Sequence, residues 1–360
     1  MSALTDIIRQ RIDASGPISL AEYMELALSH PEHGYYKKRD PFGSRGDFIT
    51  SPEISQVFGE LIGIWCAQAW LQMGGGPISL VELGPGRGTL MADLLRATKK
   101  VPDFHDSITI HMVETSPVLA NAQYMRLRDE HPRIEWLDSI DELPDSRSII
   151  IANEFFDALP IKQFVMDEDG LHERRIDWNE TSQEFVFIKG AAGLQLAKSG
   201  QNIPPGTVME QCPAARLIMR SLAARLKEHG GAALIIDYGY LGDAHRDTLQ
   251  AVKSHSFHPV LRDPGQADIT AHVDFQSLLA IAREGGIYSA PLSTQGEFLV
   301  RMGAEKRVEQ LLKSATGEQR DAIVSGVERL ISSQAMGELF KVMAVSSLPH
   351  SELPGFTTID

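Results

Sequence analysis

Cysteine is scarce: Cys66 and Cys212 are the only two in 360 residues. Two thiols cannot supply a four-ligand zinc set or a disulfide framework, so a reducing compartment fits. Also missing is any apolar run of the roughly 18 residues that a membrane span needs, and no membrane insertion is expected. Met1 to Gln10 carry neither the apolar stretch of a signal peptide nor the Arg/Ser-rich pattern of a transit peptide, so the expected location is cytoplasmic. Positive charge is short as well. Lys and Arg number 34 against 48 Asp and Glu, a formal net charge of −14 that repels a phosphate backbone, and no nucleic acid partner is expected. His30, His33 and His131 lack metal-ligand spacing, and no metal is expected. Internal repeats and long Pro/Ser/Gly tracts are absent, which excludes a solenoid and a long disordered arm.

What is present is an ordinary globular composition, 43% hydrophobic and 23% charged, in a chain long enough for two domains or one large domain with insertions. Apolar strand-like runs alternate with helical segments, the pattern of a mostly parallel α/β sheet. The candidate strands are "ISLVEL" (78–83), "ITIHMVE" (108–114), "IEWLD" (134–138), "SIIIANE" (148–154) and "ALIIDYG" (233–239), and four of the five end in or beside an acid. A helix-like "VDFQSLLAIAREGG", an extended "IYSAPLSTQ" and a late "ELFKVMAVSS" bring the expected sheet to seven strands. Residues 1–74 read as a helical N-terminal extension, broken by a loop within "HGYYKKRDPFGSRGDF". Residues 75–360 read as the main domain, with an insertion of β-hairpins at 161–230 and a helical one at 297–335. The loop leads into "ITSPEISQVFGELIGIWCAQAW", read as one helix with Ser51 at its N-cap, Pro52 at its first position and Glu53 at its positive end. Thr50, Ser51 and Glu53 stand equally as capping residues and as ligand contacts.

The stretch "LVELGPGRGTL" places Gly84, Gly86 and Gly88 two apart after a strand and before the helical "TLMADLLRA". A turn without Cβ at three alternate positions lets backbone approach a ligand closely. The dinucleotide fingerprint needs its third glycine at position 89, where this chain has threonine. The spacing is instead E-x-G-x-G-x-G from Glu82, the first motif of S-adenosyl-L-methionine-dependent methyltransferases. Glu114, ending the next strand, suits the two ribose hydroxyls of an adenosine, with Thr115 and Ser116 beside it. Asp138, followed by Ser139, suits the adenine amino group. Carboxyl ends of strands are where open α/β sheets bind ligands, and these acids share that rim.

"LVELGPGRGTLMADLLRA", "VETSP", "IIANEFFDALPIKQF", "IIDYGY", "GQADITAHVDF" and "TQGEFLVRMG", with "GDFITSPEISQVFGELIGIW" ahead of them, resemble the MidA-like family of methyltransferases over about the whole chain. Mitochondrial members of that family are assembly factors for respiratory complex I, and one is associated with symmetric dimethylation of an arginine in a core subunit. The resemblance implies a seven-stranded Rossmann-like class I methyltransferase sheet, S-adenosyl-L-methionine as methyl donor, and a protein substrate with a target arginine, a complex I subunit being the candidate. It also implies that Gly84, Gly86 and Gly88 form the cofactor turn, that Glu114 holds ribose, and that "NEFFDALP" rims the reaction site; Glu82 and Pro85, in the same stretch as the glycines, are further cofactor-binding candidates.

Methyl transfer from a sulfonium needs in-line alignment, exclusion of water and, for some acceptors, a base. A guanidinium must also be oriented, which carboxylates do through paired hydrogen bonds. Asn153, Glu154 and Asp157 follow the fourth strand, and Glu154 and Asp157 share a side if that segment opens as a helical turn. Asp237 in the fifth strand and His272 in "DITAHVDF" are further catalytic candidates, with helix capping the competing role for Asp157 and for Asp274. Glu210 and Arg216 are candidates for a substrate mouth. Two other readings share the glycines and Glu114: a nicotinamide-dependent dehydrogenase, and an S-adenosylmethionine-binding assembly chaperone without catalysis.

Overall fold

The computed structural model describes residues 2–38, 49–194, 203–242, 246–348 and 353–356. Residues 39–48, most of the loop expected within "HGYYKKRDPFGSRGDF", lie outside them. The chain forms two compact units, each assembled from three separate stretches. The first takes residues 1–48, 157–217 and 240–274, and the second takes 49–156, 218–239 and 275–360.

The second unit holds the expected strands. These are β1 (Ile78–Leu83), β2 (Ile108–Val113), β3 (Ile134–Leu137), β4 (Ser148–Asn153), β5 (Gly231–Tyr240), β6 (Tyr288–Ser289) and β7 (Phe340–Ser346), ordered β6-β7-β5-β4-β1-β2-β3 along a nine-stranded sheet in which Ser293–Thr294 also pairs with β7, two strands more than the seven expected. Strands β1 to β5 run parallel, whereas β7 is antiparallel to both β5 and β6, so the sheet is mixed. All six residues of β1 are buried, as expected of a central strand covered on both faces. On one face, Leu80, Ile110, Ile151, Leu234 and Val342 pack against Phe58, Ile62 and Trp65 of helix Gln56–Gln72 and Leu94 of helix Thr89–Thr98.

The helix expected to run unbroken from Ser51 is split in two. A single turn, Ser51–Ile54, has Thr50 as its N-cap, and the long helix starts afresh at Gln56. Ser55 breaks it because its backbone is extended, at φ −153°, and its hydroxyl accepts the amide of Val57, a local cap that competes with helix continuation. Helix Gly317–Ile331 fits closely there: a Cβ on Gly326 would stand 2.9 Å from the carbonyl oxygen of Ile54.

Glu60, on the long helix, is 2% exposed yet carries a carboxylate, and the helix surface supplies its partners. Arg307 donates to both oxygens, at 2.7 and 3.0 Å, and Arg96 donates to one at 3.1 Å while pairing with Asp93 at 2.7 Å. The fork ties helix Ala304–Leu312 to the helices over β1. Glu60→Ala is expected to cost about 2 kcal/mol, less than a fully enclosed pair because both arginines can turn to water. Chemical denaturation reads this, and an unshifted midpoint would show that the fork holds nothing.

In the first unit, strands Gly170–Asn179, Lys162–Asp167, Glu184–Leu194 and Val208–Gln211 make the expected hairpins in one antiparallel sheet, and Asp268–Thr270 belongs to a three-stranded one. Its core joins Leu4, Ile8 and Tyr23 of two N-terminal helices to Ile161, Ile176 and Ile269. The extension expected at 1–74 is therefore divided, residues 1–48 belonging to this unit and 49–74 to the other.

Candidate active site

In a doubly wound sheet, ligands bind beyond the carboxyl ends of the strands where the order reverses, here between β1 and β4. The register puts Leu83 opposite both Val113 and Ala152, Val113 opposite Leu137, and Asn153 opposite Ile236. Gly84, Glu114, Asp138, Glu154 and Asp237 consequently stand along one rim.

Gly84, Gly86 and Gly88 all have left-handed φ, +60°, +55° and +74°, which glycine adopts without steric cost. The Gly88 amide closes the turn on the carbonyl of Pro85 at 2.8 Å, and Gly88 sits at the N-cap of helix Thr89–Thr98. Gly84 has a second reason to be bare: a Cβ there would come within 2.9 Å of the Phe155 ring. Beneath the turn, burial raises the Glu82 carboxyl to about 8, and its Oε2 has no hydrogen-bond partner among the described residues.

Glu114 accepts the Ser116 amide at 2.7 Å on one oxygen and the Gln123 side chain at 3.1 Å on the other. Ser116 caps helix Pro117–Leu127, while Thr115 is exposed. Asp138 is exposed, with its amide donating to Glu142 at 3.1 Å, and the Ser139 hydroxyl accepts the Asp141 amide at 3.2 Å. Above the turn, Thr89 donates its hydroxyl to Glu53 and accepts from Arg126, while Arg87 lies 3.7 Å and Arg126 4.0 Å from the Glu53 carboxylate. The threonine that broke the dinucleotide fingerprint thus joins a charged clasp.

On β4, Asn153 is buried, its amide nitrogen donates to Glu154 at 3.3 Å, and its Oδ1 has no partner among the described residues. Glu154 also accepts the Ser51 amide at 2.8 Å. The helical turn that would align Glu154 with Asp157 does not form. Glu154 takes left-handed φ, +50°, and the Phe156 amide goes instead to Asp237 Oδ2 at 3.0 Å. The other oxygen of Asp237 accepts the Tyr238 amide at 2.9 Å, so this fully buried carboxylate holds the turn with both oxygens.

Within the first unit, Asp157 is buried and its carbonyl accepts the Ala271 amide at 3.0 Å. Tyr36, absent from the sequence-based candidates, donates to Asp268 at 2.7 Å; burial first, then the charges of Asp268 and Asp157, hold its phenol protonated. The His272 amide donates to Thr248 Oγ1 at 3.0 Å, and Thr248 in turn donates to Glu210. Burial, then Arg246, pushes the His272 imidazole below its usual range, so it is neutral at pH 7.

A family model for S-adenosyl-L-methionine-dependent methyltransferases matches residues 61–291. The chain belongs to this family. Its cofactor is S-adenosyl-L-methionine, which sets aside the nicotinamide reading. The methyltransferase is 39% identical over 378 residues to "Protein arginine methyltransferase NDUFAF7, mitochondrial" of Xenopus laevis, covering 98% of this chain and 86% of that one. It is 36% identical over 370 residues to the Homo sapiens protein of the same name, covering 96% and 83%. A protein from Burkholderia thailandensis solved with S-adenosyl-homocysteine bound superposes with a TM-score of 0.84 at 28% identity, covering 99% of this chain and 93% of that one. The methyltransferase therefore has the α/β methyltransferase fold with a mixed sheet. The cytoplasmic location expected from the sequence is corrected by these relatives, which are named as mitochondrial. The lack of a leader pattern in ten residues decides nothing about compartment.

Proposed function

We propose that the methyltransferase modifies an arginine side chain of a protein substrate, with a respiratory complex I subunit as the candidate. The observation that carries this is 36–39% identity, over nearly the whole chain, to proteins named as protein arginine methyltransferases. The complex I candidate rests on the family resemblance. In this reading β1 to β7 are the core strands of a Rossmann-like class I sheet, and 161–230 and 297–335 are insertions.

The residues fit the cofactor. Three left-handed glycines bring bare backbone to the switch point, and the buried Glu82 Oε2 and Asn153 Oδ1, without partners among the described residues, suit an amino-acid tail rich in donors. Bound, S-adenosyl-L-methionine supplies a methyl group on a positively charged sulfur. Glu82, Gly84, Pro85, Gly86 and Gly88 form its turn; Glu114, Thr115 and Ser116 serve the ribose; Asp138 and Ser139 serve the adenine. Thr50, Ser51, Glu53 and Asn153 complete that part of the site. Glu154 and Asp157 orient the guanidinium, and His272, neutral at pH 7, takes the proton that the attacking nitrogen loses. Asp237 contributes by holding the turn, since backbone amides occupy both its oxygens.

The test is mass spectrometry of a complex I subunit preparation after incubation with the enzyme and methyl-labelled cofactor. Label on arginine is the expected result. Label on another residue type would overturn the arginine reading, and cofactor binding with no transfer to any subunit would favour the chaperone instead.

A further inference from the structure

We infer that Gln123 is a positioning residue for the cofactor site, setting the Glu114 carboxylate and the glycine turn with one side-chain amide. The inference rests on the proposed ribose role of Glu114. Gln123 lies on helix Pro117–Leu127, is fully buried, and has partners for both its amide donors and for its carbonyl oxygen. Its Nε2 donates to the Gly86 carbonyl at 2.8 Å and to Glu114 Oε2 at 3.1 Å, while its Oε1 accepts the Trp136 indole N–H at 2.9 Å. The indole can only donate, and the carbonyl and carboxylate can only accept, so the amide has a single orientation.

Two consequences for the site follow. With Oε1 of Glu114 on the Ser116 amide and Oε2 on Gln123, the carboxylate is pinned from both sides. Holding the Gly86 carbonyl inward also aims the amide N–H of the same trans peptide unit, that of Arg87, the opposite way, out of the protein interior. A buried amide that served packing alone would not need both acceptors to belong to the rim. The Gln123 side chain further crowds the turn from behind, since a Cβ on Gly88 would lie 3.4 Å from its Cγ.

The experiment is calorimetric titration of S-adenosyl-homocysteine into the wild-type protein, Gln123→Met, Gln123→Glu, Glu114→Gln and the double variant Glu114→Gln with Gln123→Met. Gln123→Met keeps the volume and removes both donors, so affinity is expected to fall about 10- to 100-fold. The double variant is expected to bind little worse than Glu114→Gln, because the two residues act as a unit. Gln123→Glu places a second carboxylate against Glu114; between pH 8 and pH 6 its affinity is expected to rise about 10-fold more than that of the wild type, whose own profile carries the titration of Glu82. A purely structural glutamine would not give that pH profile, and the profile decides the matter if Gln123→Met folds poorly. Wild-type affinity in Gln123→Met with a weakened Glu114→Gln overturns the inference and leaves the ribose reading standing; so does full additivity. Wild-type affinity in Glu114→Gln overturns the ribose reading itself, and with it the carboxylate half of the inference.

Discussion

Asp157→Asn is expected to slow methyl transfer about 100-fold, the scale of losing one preorganised charged group, while cofactor affinity stays within about twofold. The substitution keeps shape and removes charge. Asp157 is buried, and its backbone is fixed independently of its side chain by the bond from the Ala271 amide, so the local fold is expected to survive. A guanidinium that leaves water needs a carboxylate to hold its planar fork and to draw charge away from the attacking nitrogen; an amide does neither as well. Tyr36 and Asp268 keep their 2.7 Å hydrogen bond in the variant, which guards against loss of the whole cluster. Methyl incorporation and cofactor titration on the same preparation read the two effects separately. Full transfer would leave Asp157 with a structural role only, and lost cofactor binding would assign it to the donor side.

Gly86→Val is expected to weaken cofactor binding more than about 100-fold. The backbone at Gly86 has φ +55°, where a β-branched residue costs about 1–3 kcal/mol before any contact is counted. Its carbonyl is held by Gln123, so the turn cannot relax by rotating that peptide without giving up a 2.8 Å bond. Two added methyl groups also occupy space at the rim where a ligand approaches the bare turn. Gly86→Ala should give a smaller loss in the same direction. Titration of both variants checks the order, and wild-type affinity in the valine variant would move the cofactor away from this turn.

The strands of the second unit were legible because each carries its own signal. The run Ile78–Leu83 is buried at every position, and the alternation of sequence needs no partner to be read. The glycine turn was legible for the same reason. Gln123 and Glu60 were not, since a buried polar residue on a helix is recognised only by what it meets: Gly86 and Trp136 for one, Arg307, 247 positions away, for the other. The break at Ser55 depends on a single hydroxyl turning back to a backbone amide, which competes evenly with the propensities around it. Glu154 and Asp157 were correctly placed after β4 as a sequence pair, but the left-handed backbone at Glu154 is imposed from Asp237, on another strand.

The position of β7 bears on how the protein is made. Phe340–Ser346 lies between β5 and β6 although it is the last strand among the described residues. A ribosome emitting the chain in order releases β5 with its outer edge open, and that edge waits for about a hundred more residues before its neighbour arrives. Non-local pairings form slowly, and an open apolar strand edge attracts other chains during the delay. Loss of the final twenty residues would therefore take away β7 beyond Phe340 and leave most of the β5 edge it covered without that partner, turning a brief hazard of synthesis into a standing route to aggregation.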